Sequence, residues 1–513
     1  MPKNFYISTP IYYPSAKPHM GHAYSSIIAD FFARFKRIDG FDVCFLTGTD
    51  EHGLKIQRAA EKNNVDPQTF CDEISQTFRN LSEILNLSNT DFIRTTEERH
   101  KKTVQYLWSE LVRNGNIYLS KYSGWYSVSD EAFYNADEIE EKNGNKISID
   151  SGSPVEWIEE ESYFFKLSNW QDKLLSHYEQ NKDFILPKSR KNEVISFVKS
   201  GLKDLSISRK TFSWGIKVPN DSEHVIYVWL DALTNYISAL DYPKIDSEPF
   251  KKFWPASVHL IGKDILRFHA VYWPAFLMAA NIPLPLRVYG HGWILSGDEK
   301  MSKSKDNILD PLEIIKTYGL DPLRYYLIKE VSFGNDGNIS QDRLEDCINS
   351  DLANNFGNLC QRVTAFAQKN CSAKIPEINK FNNEDLKILN KFTDNLDNIR
   401  DEVDKQNINF YIDFIVNALF EANKYFNDQE PWKKKGDLKR LNTIVYTSLE
   451  VIRKISFMLY PIIPQTIDKV LKIFNIDSNS ISLETIALHD ELKSGDPINK
   501  IDILFKKIEK KND

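Results

Sequence analysis

The stretch NFYISTPIYYPSAKPHMGH, residues 4–22, joins a short apolar segment to a loop rich in proline and tyrosine and to a glycine flanked by histidines. The pattern predicts a strand over residues 4–7. A helix is predicted over residues 23–37, where Ile27, Ile28, Phe31 and Phe35 recur on one face. A strand that leads through a loop into a helix is the opening unit expected of an α/β fold.

A second apolar segment, residues 41–46, predicts another strand, and it ends in the polar sequence TGTDEHG at residues 47–53. Doubly wound α/β folds bind their ligands where strands end and helices begin. The histidines of the first loop and the carboxylates of the second are therefore candidate site residues.

The chain changes character over residues 122–154, which are polar, acidic and rich in turn-forming residues. Residues 136–145 resemble the tip of a surface hairpin. Strand-like runs return at residues 225–229 and 258–261, and an apolar helical segment follows at residues 266–280. We therefore expect an α/β domain that is split by an insertion.

From about Arg343 onward, strand-like alternation gives way to long amphipathic helical segments. These segments cover residues 351–368, 385–406, 410–426 and 442–458. The pattern predicts a helix bundle in this part of the chain.

The composition, with 513 residues of which 42% are hydrophobic and 27% charged, predicts a folded, water-soluble protein of several domains. A net charge of −7 excludes a polycation held to nucleic acid by overall charge, while a local basic surface stays compatible. The five cysteines form no CxxC pair, which favours a reducing cytosol over a disulfide framework or a zinc knuckle. Neither a secretory signal nor a membrane span is expected.

The segment Pro18-His19-Met20-Gly21-His22 has the chemistry of a phosphate site. Gly21 lets a ligand approach the backbone, and a helix N-terminus favours phosphate. The imidazoles of His19 and His22 can donate to phosphoryl oxygens. A turn with exposed, satisfied histidines is the alternative that this segment alone leaves open.

A second candidate is the sequence KMSKS at residues 300–304. Lysines separated by small hydroxyl residues in a mobile loop can follow a pyrophosphate group as charge develops on it. A solvated basic turn is the alternative, but an unbroken KMSKS in the same chain as an HxGH sequence is far more specific.

These two motifs resemble the signatures of the class I aminoacyl-tRNA synthetases, and their surroundings resemble the methionyl-tRNA synthetase family. The resemblance covers nearly the whole chain. It extends to STPIYY at residues 8–13, GTDEHG at 48–53, VWLDA at 228–232, IGKDI at 261–265, HGW at 291–293 and PW at 431–432. It implies a Rossmann-type catalytic domain that is split by an inserted connective domain and followed by an α-helical anticodon-binding domain.

The resemblance also implies a methionine pocket in which Asp50 pairs with the ammonium group of the substrate. Aromatic side chains suit a thioether through dispersion and sulfur–aromatic contacts. An aromatic residue alone more often has a packing role, and it is their grouping around the two motifs that favours a pocket. The implied pocket residues are Ile11, Tyr13, Asp50, Trp229, Ala232, Tyr236, Ile265 and His269.

The catalytic residues that the resemblance implies are His19, His22, Lys300 and Lys303. Those implied to bind ATP are His19, Gly21, His22, His291, Gly292, Lys300, Met301, Ser302, Lys303 and Ser304. Arg209 and Asp264 are implied as a supporting network around Asp50, and a surface salt bridge is the alternative for Arg209.

Anticodon recognition is implied for Asn358, Arg362 and Trp432, whose amide, guanidinium and indole groups suit base edges and an unpaired base. A helix-packing role is the alternative for Trp432. Five basic residues within residues 431–440 add a local patch that could contact phosphate.

The implied reaction is attack of the methionine carboxylate on the α-phosphorus of ATP, which gives methionyl adenylate and pyrophosphate. The methionyl group is then transferred to the terminal adenosine of tRNA(Met), including the initiator tRNA. Positioning and charge stabilisation can supply the catalysis without a protein nucleophile. Mg²⁺ would be held mainly by the ATP phosphates and water.

The sequence departs from the family at the zinc knuckle that many members carry. It keeps GWY at residues 124–126 and GSPVEW at 152–157, but Ser127, Asp130, Ser148 and Ser151 stand at the four ligand positions. Hydroxyls and a single carboxylate are poor ligands for structural zinc. We therefore expect no structural zinc and a knuckle held by its hairpin and its aromatic packing.

The implied domains are residues 1–115 and 226–295 for the two halves of the catalytic domain and 116–225 for the connective domain, with the knuckle near 122–157. The KMSKS loop and linker take residues 296–345, and the anticodon-binding domain takes 346–513. No room is left for the dimerisation domain of some relatives. We therefore expect a cytoplasmic monomer with no membrane partner.

Three alternatives stay open. Synthetases for isoleucine, valine or leucine usually carry a large editing insertion, and the cysteine enzymes lack the aromatic set of Tyr13, Trp229 and Tyr236. A small-molecule adenylyltransferase would share HxGH but would not need the helix bundle. A non-catalytic tRNA-binding scaffold is disfavoured because both motifs are intact.

Overall fold

The computed structural model of the protein describes residues 3–14, 17–130, 132–134, 136–142, 144–296, 299–300 and 310–509. The chain divides into two compact units. The sheet unit comprises residues 4–18 and 43–291, and the helical unit comprises residues 1–3, 19–42 and 292–513.

Strands occur in both units. In chain order the described strands are β1 (Asn4–Ser8), β2 (Asp42–Thr49), β3 (Asp91–Arg94), β4 (Ile117–Ser127), β5 (Ala132–Tyr134), β6 (Ile139–Lys142), β7 (Asn145–Ser148), β8 (Glu156–Phe165), β9 (Ile185–Leu186), β10 (Leu205–Ser206), β11 (Ser208–Arg209), β12 (Lys217–Val218), β13 (Asp221–Ile226), β14 (Val258–Gly262), β15 (Val288–His291), β16 (Ile294–Ser296), β17 (Glu299–Lys300) and β18 (Gly337–Asn338).

Helices likewise occur in both units. The described α-helices are α1 (Met20–Ile38), α2 (Leu54–Lys62), α3 (Pro67–Ile84), α4 (Glu98–Arg113), α5 (Gln171–Gln180), α6 (Lys188–Lys199), α7 (Val228–Leu233), α8 (Asn235–Ser238), α9 (Glu248–Phe253), α10 (Trp273–Ala279), α11 (Pro311–Tyr318), α12 (Leu320–Glu330), α13 (Gln341–Cys347), α14 (Asn358–Asn370), α15 (Asn383–Asp404), α16 (Ile408–Gln429), α17 (Leu438–Leu459) and α18 (Pro464–Leu471). Two π-helical segments, Phe268–Tyr272 and Ile348–Gly357, lead directly into α10 and α14.

The sheet unit is built on a six-stranded parallel sheet in the order β3-β2-β1-β14-β15-β9. Almost every residue of β1, β2, β14 and β15 is buried. Continuous apolar strands of this kind are expected where both faces of a parallel sheet are covered. The predicted α/β fold is confirmed.

Gly48 is where β2 passes closest to its neighbour β3. A Cβ atom at this position would lie 2.0 Å from the backbone oxygen of Ile93. Any side chain would therefore push the two strands apart. Because Gly48 lies two residues before Asp50, this close approach also fixes where the candidate carboxylate leaves the sheet.

The predicted insertion lies between β3 and β14 in the chain. It contains the antiparallel sheet β10-β8-β4-β5, the small sheet β11-β13-β12 and the hairpin of β6 and β7. In that hairpin Lys142 pairs with Asn145, within the segment that resembles a hairpin tip.

The strand-like run predicted at residues 225–229 is only partly correct. Val225 and Ile226 end β13, whereas Val228 and Trp229 begin the helix α7. A short apolar run has no periodicity long enough to separate a strand from a buried helix. The difference matters because the helix, and not the strand, carries Trp229.

The helical unit contains α1, α11 to α18 and the three-stranded sheet β17-β16-β18 among its described residues. The predicted helical segments correspond to α14 with its preceding π-helix, α15, α16 and α17, each within a few residues of the expected bounds. A helical carboxyl-terminal part is therefore confirmed.

Helix α1 is anchored in the helical unit by a buried ion pair. The carboxylate of Asp30 accepts bonds from Arg34 and Arg324, each at 2.7 Å, and both Asp30 and Arg324 are fully buried. Arg324 also donates to the backbone oxygen of Ile462 at 2.8 Å. A buried charge is tolerated only with such complete pairing, so this network fixes the position of α1 against the loop before α18.

Among the described residues, no helix combines the length and the apolar character that crossing a lipid bilayer requires.

Candidate active site

His19 and His22 form the hydrogen bonds that cap the N-terminus of α1. The backbone N–H of Gly21 donates to Nδ1 of His19, and the backbone N–H of His19 donates to Nδ1 of His22, both at 3.1 Å. The two rings lie 3.8 Å apart. This is a capping box in which imidazoles take the places of the usual hydroxyl and carboxylate.

The cap determines which imidazole nitrogens carry protons. Because Nδ1 of His19 and Nδ1 of His22 both accept, each neutral ring holds its proton on Nε2. Burial lowers the pKa of His22 well below its usual range, and the neighbouring His19 lowers it further. His22 is therefore a neutral N–H donor at a helix N-terminus, which is the arrangement that favours a phosphate oxygen.

Gly21 lies in tight contact with the cap. A Cβ atom at Gly21 would lie 3.0 Å from Cε1 of His19. A side chain there would require the His19 imidazole to shift by a few tenths of an ångström, so Gly21 lets the imidazole lie close to the backbone.

The KMSKS residues are mostly outside the described residues. Lys300 lies in β17, whose backbone pairs with Leu295 of β16. Met301, Ser302, Lys303 and Ser304 fall outside the part of the chain that the structure describes.

His291 is the last residue of β15 and is buried. The following Gly292 approaches another backbone segment so closely that a Cβ atom would lie 2.1 Å from the oxygen of Asn335. Glycine is thus required at residue 292.

The loops after β1 and β2 are joined by backbone hydrogen bonds in the sheet unit. The N–H of Tyr12 donates to the oxygen of Gly48 at 2.8 Å, and the N–H of Asp50 donates to the oxygen of Tyr12 at 2.9 Å. The Tyr13 hydroxyl donates to the backbone oxygen of His52 at 3.0 Å. The structure therefore brings Tyr13 and the buried Asp50 to one place, at the carboxyl ends of adjacent strands.

Glu51, which follows Asp50, stabilises this loop through its buried carboxylate. Arg94 donates to both of its oxygens, at 2.7 and 2.9 Å, and Thr49 donates at 2.7 Å. Charge-assisted, two-pronged pairing of this kind is among the strongest in proteins. The backbone on either side of Asp50 is consequently held in one conformation.

An aromatic wall forms from α7, α8 and the segment after β14. Trp229 stacks on Phe268 with ring centres 3.6 Å apart, and the His269 ring lies 6.2 Å from Trp229. The Tyr236 hydroxyl and His269 Nε2 are 2.7 Å apart. Three candidates, Trp229, Tyr236 and His269, are therefore neighbours in the structure.

The His269 imidazole is a neutral part of this wall. Its Nδ1 lies 2.9 Å from the backbone oxygen of Ile265, which can only accept, so Nδ1 carries the proton and Nε2 accepts from Tyr236. Burial lowers the pKa of His269 to about 4. The wall is thus uncharged at neutral pH.

The remaining candidates surround the same core. Ile11, Tyr13, Trp229 and Ile265 are partly buried against the large hydrophobic cluster of the sheet unit, and Ala232 is buried. The partly buried positions leave apolar surface next to the wall for a ligand to cover.

Arg209 is a buried cation rather than a surface residue. It is 1% exposed, donates to the Ser206 hydroxyl at 3.0 Å, and lies with its guanidinium 4.7 Å from the centre of the Tyr227 ring. The surface salt bridge considered from the sequence is therefore wrong. Asp264 lies in the short 3₁₀ segment directly after β14.

Comparison with known proteins identifies this arrangement. A family model described as tRNA synthetases class I (M) matches residues 5–364. A second, described as the anticodon binding domain of methionyl tRNA ligase, matches residues 375–513. The chain belongs to the methionyl-tRNA synthetase family.

Relatives within the methionyl-tRNA synthetase family span nearly the same length. The methionine–tRNA ligase of Brucella suis is 50% identical over 93% of this chain and 93% of its own. That of Rickettsia felis is 50% identical over 99% of both chains. A solved structure of Mycobacterium tuberculosis methionyl-tRNA synthetase in complex with methionyl-adenylate matches with a TM-score of 0.95 at 44% identity, covering 98% of this chain and 99% of that one.

The activity is accordingly that of a methionine–tRNA ligase, a class I enzyme that uses ATP. The other class I synthetases, the adenylyltransferase and the non-catalytic scaffold, which the sequence left open, are set aside.

Candidate anticodon-reading residues of the methionyl-tRNA synthetase family lie in the helical unit. Asn358 and Arg362 are one turn apart on α14, and Arg362 donates to the side-chain oxygen of Asn427. The Arg362 guanidinium lies 5.6 Å from the Phe426 ring, which contacts Trp432 edge-on at 6.1 Å. The structure brings Arg362 and Trp432 together around Phe426.

Arg440, one of the basic residues near Trp432, forms an ion pair with a carboxylate of the bundle. Its guanidinium binds the buried carboxylate of Asp385 through both terminal nitrogens. Arg440 therefore stabilises the bundle, whereas Lys434, Lys435 and Lys439 are exposed.

Hydrogen bonds link the knuckle residues Ser127, Asp130, Ser148 and Ser151. The Asp130 carboxylate accepts from the hydroxyls of Tyr134 at 2.8 Å, Ser151 at 2.5 Å and Ser153 at 2.8 Å. The Ser127 hydroxyl accepts the backbone N–H of Asp130 at 3.2 Å. We name this arrangement, Ser127, Asp130, Tyr134, Ser148, Ser151 and Ser153, the carboxylate knot.

The same kind of hydrogen bond occurs in the second loop of the carboxylate knot. There the Ser148 hydroxyl accepts the backbone N–H of Ser151 at 3.3 Å, as the Ser127 hydroxyl accepts that of Asp130. Ser127 and Ser148 are fully buried. Among the described residues, no group of three or more histidine, cysteine, aspartate or glutamate side chains could hold a metal ion.

Sequence reasoning missed several residues that shape the site. Phe268, which stacks on Trp229, stands beside the identified His269 but belongs to no motif on its own. His52 and Asp231 lie inside the quoted motifs GTDEHG and VWLDA, so their presence there was the available signal. His100 lies in α4 and offers no such signal.

Replacement of Tyr236 by phenylalanine tests the wall. The variant removes the only hydroxyl donor seen on His269 Nε2 and leaves a buried acceptor unsatisfied, which costs about 1–3 kcal/mol. We expect the variant to unfold at a lower denaturant concentration than the parent, with unfolding monitored by tryptophan fluorescence. Tyr242→Phe is the matched control, because Tyr242 is also a buried residue but its hydroxyl forms no hydrogen bond among the described residues. Equal effects of the two variants would contradict this account.

Proposed function

We propose that this methionine–tRNA ligase binds methionine in the sheet unit between Asp50 and the aromatic wall. The observation that carries the proposal is the pairing of a buried carboxylate, suited to an ammonium group, with an uncharged aromatic surface, suited to a thioether. The proposed pocket consists of Ile11, Tyr13, Asp50, Trp229, Ala232, Tyr236, Ile265 and His269.

The wall favours methionine for a physical reason. Trp229, which is only partly buried, offers polarizable surface to sulfur, and the neutral His269 imidazole beside it adds no charge that would have to be desolvated. Shape alone discriminates a methylene by about 1–3 kcal/mol, so contact with sulfur contributes to selectivity against leucine. Arg209 and Asp264 are proposed to support Asp50 without contacting the substrate.

We infer that the nucleotide is bound by the two signature motifs. The Nε2–H groups of His19 and His22 are proposed to donate to the ATP phosphates, and Lys300 and Lys303 to the departing pyrophosphate. The wider set proposed to contact ATP is Gly21, His291, Gly292, Met301, Ser302 and Ser304. Mg²⁺ is proposed to arrive with ATP, held by phosphate and water.

The chemistry follows in two steps that balance without a protein nucleophile. A methionine carboxylate oxygen forms a bond to the α-phosphorus while the bond to the pyrophosphate oxygen breaks. A ribose hydroxyl of the terminal tRNA adenosine then forms an ester with the methionyl carbonyl, and AMP leaves. Holding the reactants in line and stabilising phosphate charge are the contributions of the chain.

We propose that Asn358, Arg362 and Trp432 read the anticodon of tRNA(Met), both initiator and elongator. The support is an exposed indole, 40% accessible, beside a guanidinium that already has one amide partner. An indole held edge-on by Phe426 can keep its face for an unpaired base.

We infer that the knuckle holds its shape without zinc. The support is chemical: the carboxylate knot satisfies the Asp130 carboxylate with three hydroxyl donors, and hydroxyls are poor zinc ligands. Burial and Asp130 raise the pKa of Tyr134 to about 12, so its phenol stays protonated as a donor.

The remaining proposals concern organisation. We propose a monomer that acts in the reducing cytosol, supported by five free cysteines of which four are buried. The domain bounds stated from the sequence, 1–115 with 226–295, 116–225, 296–345 and 346–513, are proposed unchanged.

The first test is exchange of labelled pyrophosphate into ATP, measured separately with each of the twenty amino acids and without tRNA. Exchange is expected with methionine alone. His22→Ala should lower it by about 100-fold or more, since one phosphate donor is lost. His22→Gln keeps an N–H near the position of Nε2 and should retain more activity. Unchanged exchange in both variants would remove the proposed role.

The second test concerns the tRNA. Trp432→Ala should raise the KM for tRNA(Met) by roughly 5- to 100-fold, because a stacked base is worth about 1–3 kcal/mol. Methionine-dependent pyrophosphate exchange should not change. Phe420→Ala, which removes a more exposed aromatic side chain of the same unit, is the control and should leave KM unaltered. Loss of both activities in Trp432→Ala would indicate a packing role.

The third test concerns the knuckle. Elemental analysis of purified protein should give well under one zinc per chain. Asp130→Ala should speed hydrogen exchange of residues 127–153, because three hydroxyls lose their acceptor. Asp137→Ala, an exposed aspartate nearby, should not. One bound zinc per chain would contradict the proposal.

A further inference from the structure

A buried carboxylate links the elements that carry the methionine pocket. Asp231 on α7 is completely buried, and its Oδ2 lies 2.6 Å from Nδ1 of His52. Its Oδ1 lies 2.7 Å from Nε2 of His100 on α4, which is also completely buried. Neither histidine belongs to a catalytic motif, and none of the three residues is in the proposed pocket.

The protonation of this cluster follows from its geometry. Burial by itself raises the pKa of Asp231, but His52 and His100 outweigh burial, so its pKa lies below the usual range. An ionised carboxylate only accepts hydrogen bonds, so His52 carries its proton on Nδ1 and His100 carries one on Nε2. Both oxygens of the buried charge are thereby satisfied.

Each partner of Asp231 is tied to a different pocket residue. His52 lies two residues after Asp50, and its backbone oxygen accepts the hydroxyl of Tyr13. Asp231 itself stands between Trp229 and Ala232 on a helix of six residues. A shift of the carboxylate would therefore move the ammonium-binding side and the aromatic side of the pocket relative to each other.

The third connection runs to the remaining wall residue. His100 Nδ1 lies 2.9 Å from the Ser238 hydroxyl, and the backbone oxygen of Asn235 is a second acceptor 3.2 Å from the same hydroxyl, whose single proton serves one of the two. Both residues belong to α8, the helix that carries Tyr236. The cluster thus joins the loop after β2, α4, α7 and α8.

The cluster holds four elements together through a buried charge. Apolar residues of similar volume often replace a buried charge without loss of stability, so stability alone does not call for one. A charged acceptor does what apolar packing cannot, because it fixes directions and distances. A directional bond is useful where the spacing between Asp50 and Trp229 must match a small substrate.

We propose that Asp231, together with His52 and His100, is a positioning residue that sets the spacing of the methionine pocket without touching the substrate. The inference rests on the proposed roles of Asp50 and Trp229. Asp231, His52 and His100 would thus determine methionine affinity together with the residues that contact methionine.

The test measures KM for methionine, KM for ATP and kcat by pyrophosphate exchange with the full chain. His52→Ala and His100→Ala each remove one N–H donor, and we expect KM for methionine to rise about tenfold, which corresponds to about 1.4 kcal/mol. The KM for ATP and kcat should stay within about twofold. Asp231→Asn, equal in volume, should give the same pattern.

Conservative variants provide the rescue that separates positioning from packing. Asparagine at residue 52 places an N–H near the position of Nδ1, and glutamine at residue 100 places one near Nε2. His52→Asn and His100→Gln should therefore restore most of the methionine affinity that the alanine variants lose. If an alanine variant does not fold, Asp231→Asn and these two variants still report on the cluster.

The matched control is a histidine–aspartate pair outside the pocket. His224 is completely buried, and its Nδ1 lies 2.7 Å from Asp221 at the other end of β13. His224→Ala should leave KM for methionine within about twofold of the parent value. An equal rise in this control would overturn the proposal, because any buried histidine would then act alike.

Trp229→Ala distinguishes failure of this inference from failure of the proposed pocket. If Trp229→Ala leaves KM for methionine unchanged, the pocket assignment itself is wrong. If Trp229→Ala raises it while the His52, His100 and Asp231 variants do not, or while those variants lower kcat alone, the pocket stands and the positioning role is overturned.

Discussion

Parallel pairing of β1, β2 and β14 is the constraint on which the rest of the structure depends. It places the carboxyl ends of these strands along one edge, so that residues far apart in the chain, such as Tyr13, Asp50 and Ile265, leave the sheet in one region. On its other side β2 lies close against β3, because Gly48 has no side chain to meet the Ile93 backbone. This close approach also constrains the loop after β2, which carries Asp50.

Hydrogen-bonded carboxylates, three of them buried and Asp130 partly buried, recur as the means of fixing local structure in both units. Glu51, Asp30, Asp231 and Asp130 each accept at least two hydrogen bonds from side chains. The donors differ from one carboxylate to the next, with guanidinium groups on Glu51 and Asp30, imidazoles on Asp231 and hydroxyls on Asp130. In each case the charge is tolerated because its oxygens have donors, and the result is directional order that apolar contacts alone do not provide.

The sequence predicted the fold well where periodicity was long and motifs were specific. Helices α15, α16 and α17 repeat apolar residues over five or six turns, and α1 begins within three residues of its predicted start. It failed at residues 228–229, where a six-residue helix is shorter than the pattern needed to recognise it. The sequence also placed Arg209 at the surface as one alternative, because composition does not reveal which cation finds aromatic neighbours.

The site shows the same division. The identities of Trp229, Tyr236 and His269 followed from resemblance, but their hydrogen bonds and the neutral state of His269 required coordinates. A pattern of residue types identifies which groups are present, whereas protonation depends on which donor meets which acceptor.

The imidazole cap on α1 has a consequence for inhibitor chemistry. The two rings lie 3.8 Å apart with their Nδ1 atoms occupied by backbone donors, so their Nε2–H groups are left to donate hydrogen bonds. A compound aimed at them therefore needs paired hydrogen-bond acceptors at matching spacing, a role that sulfonyl or carbonyl oxygens can fill. Replacing a phosphate by such an uncharged group would ease the passage of the compound through membranes.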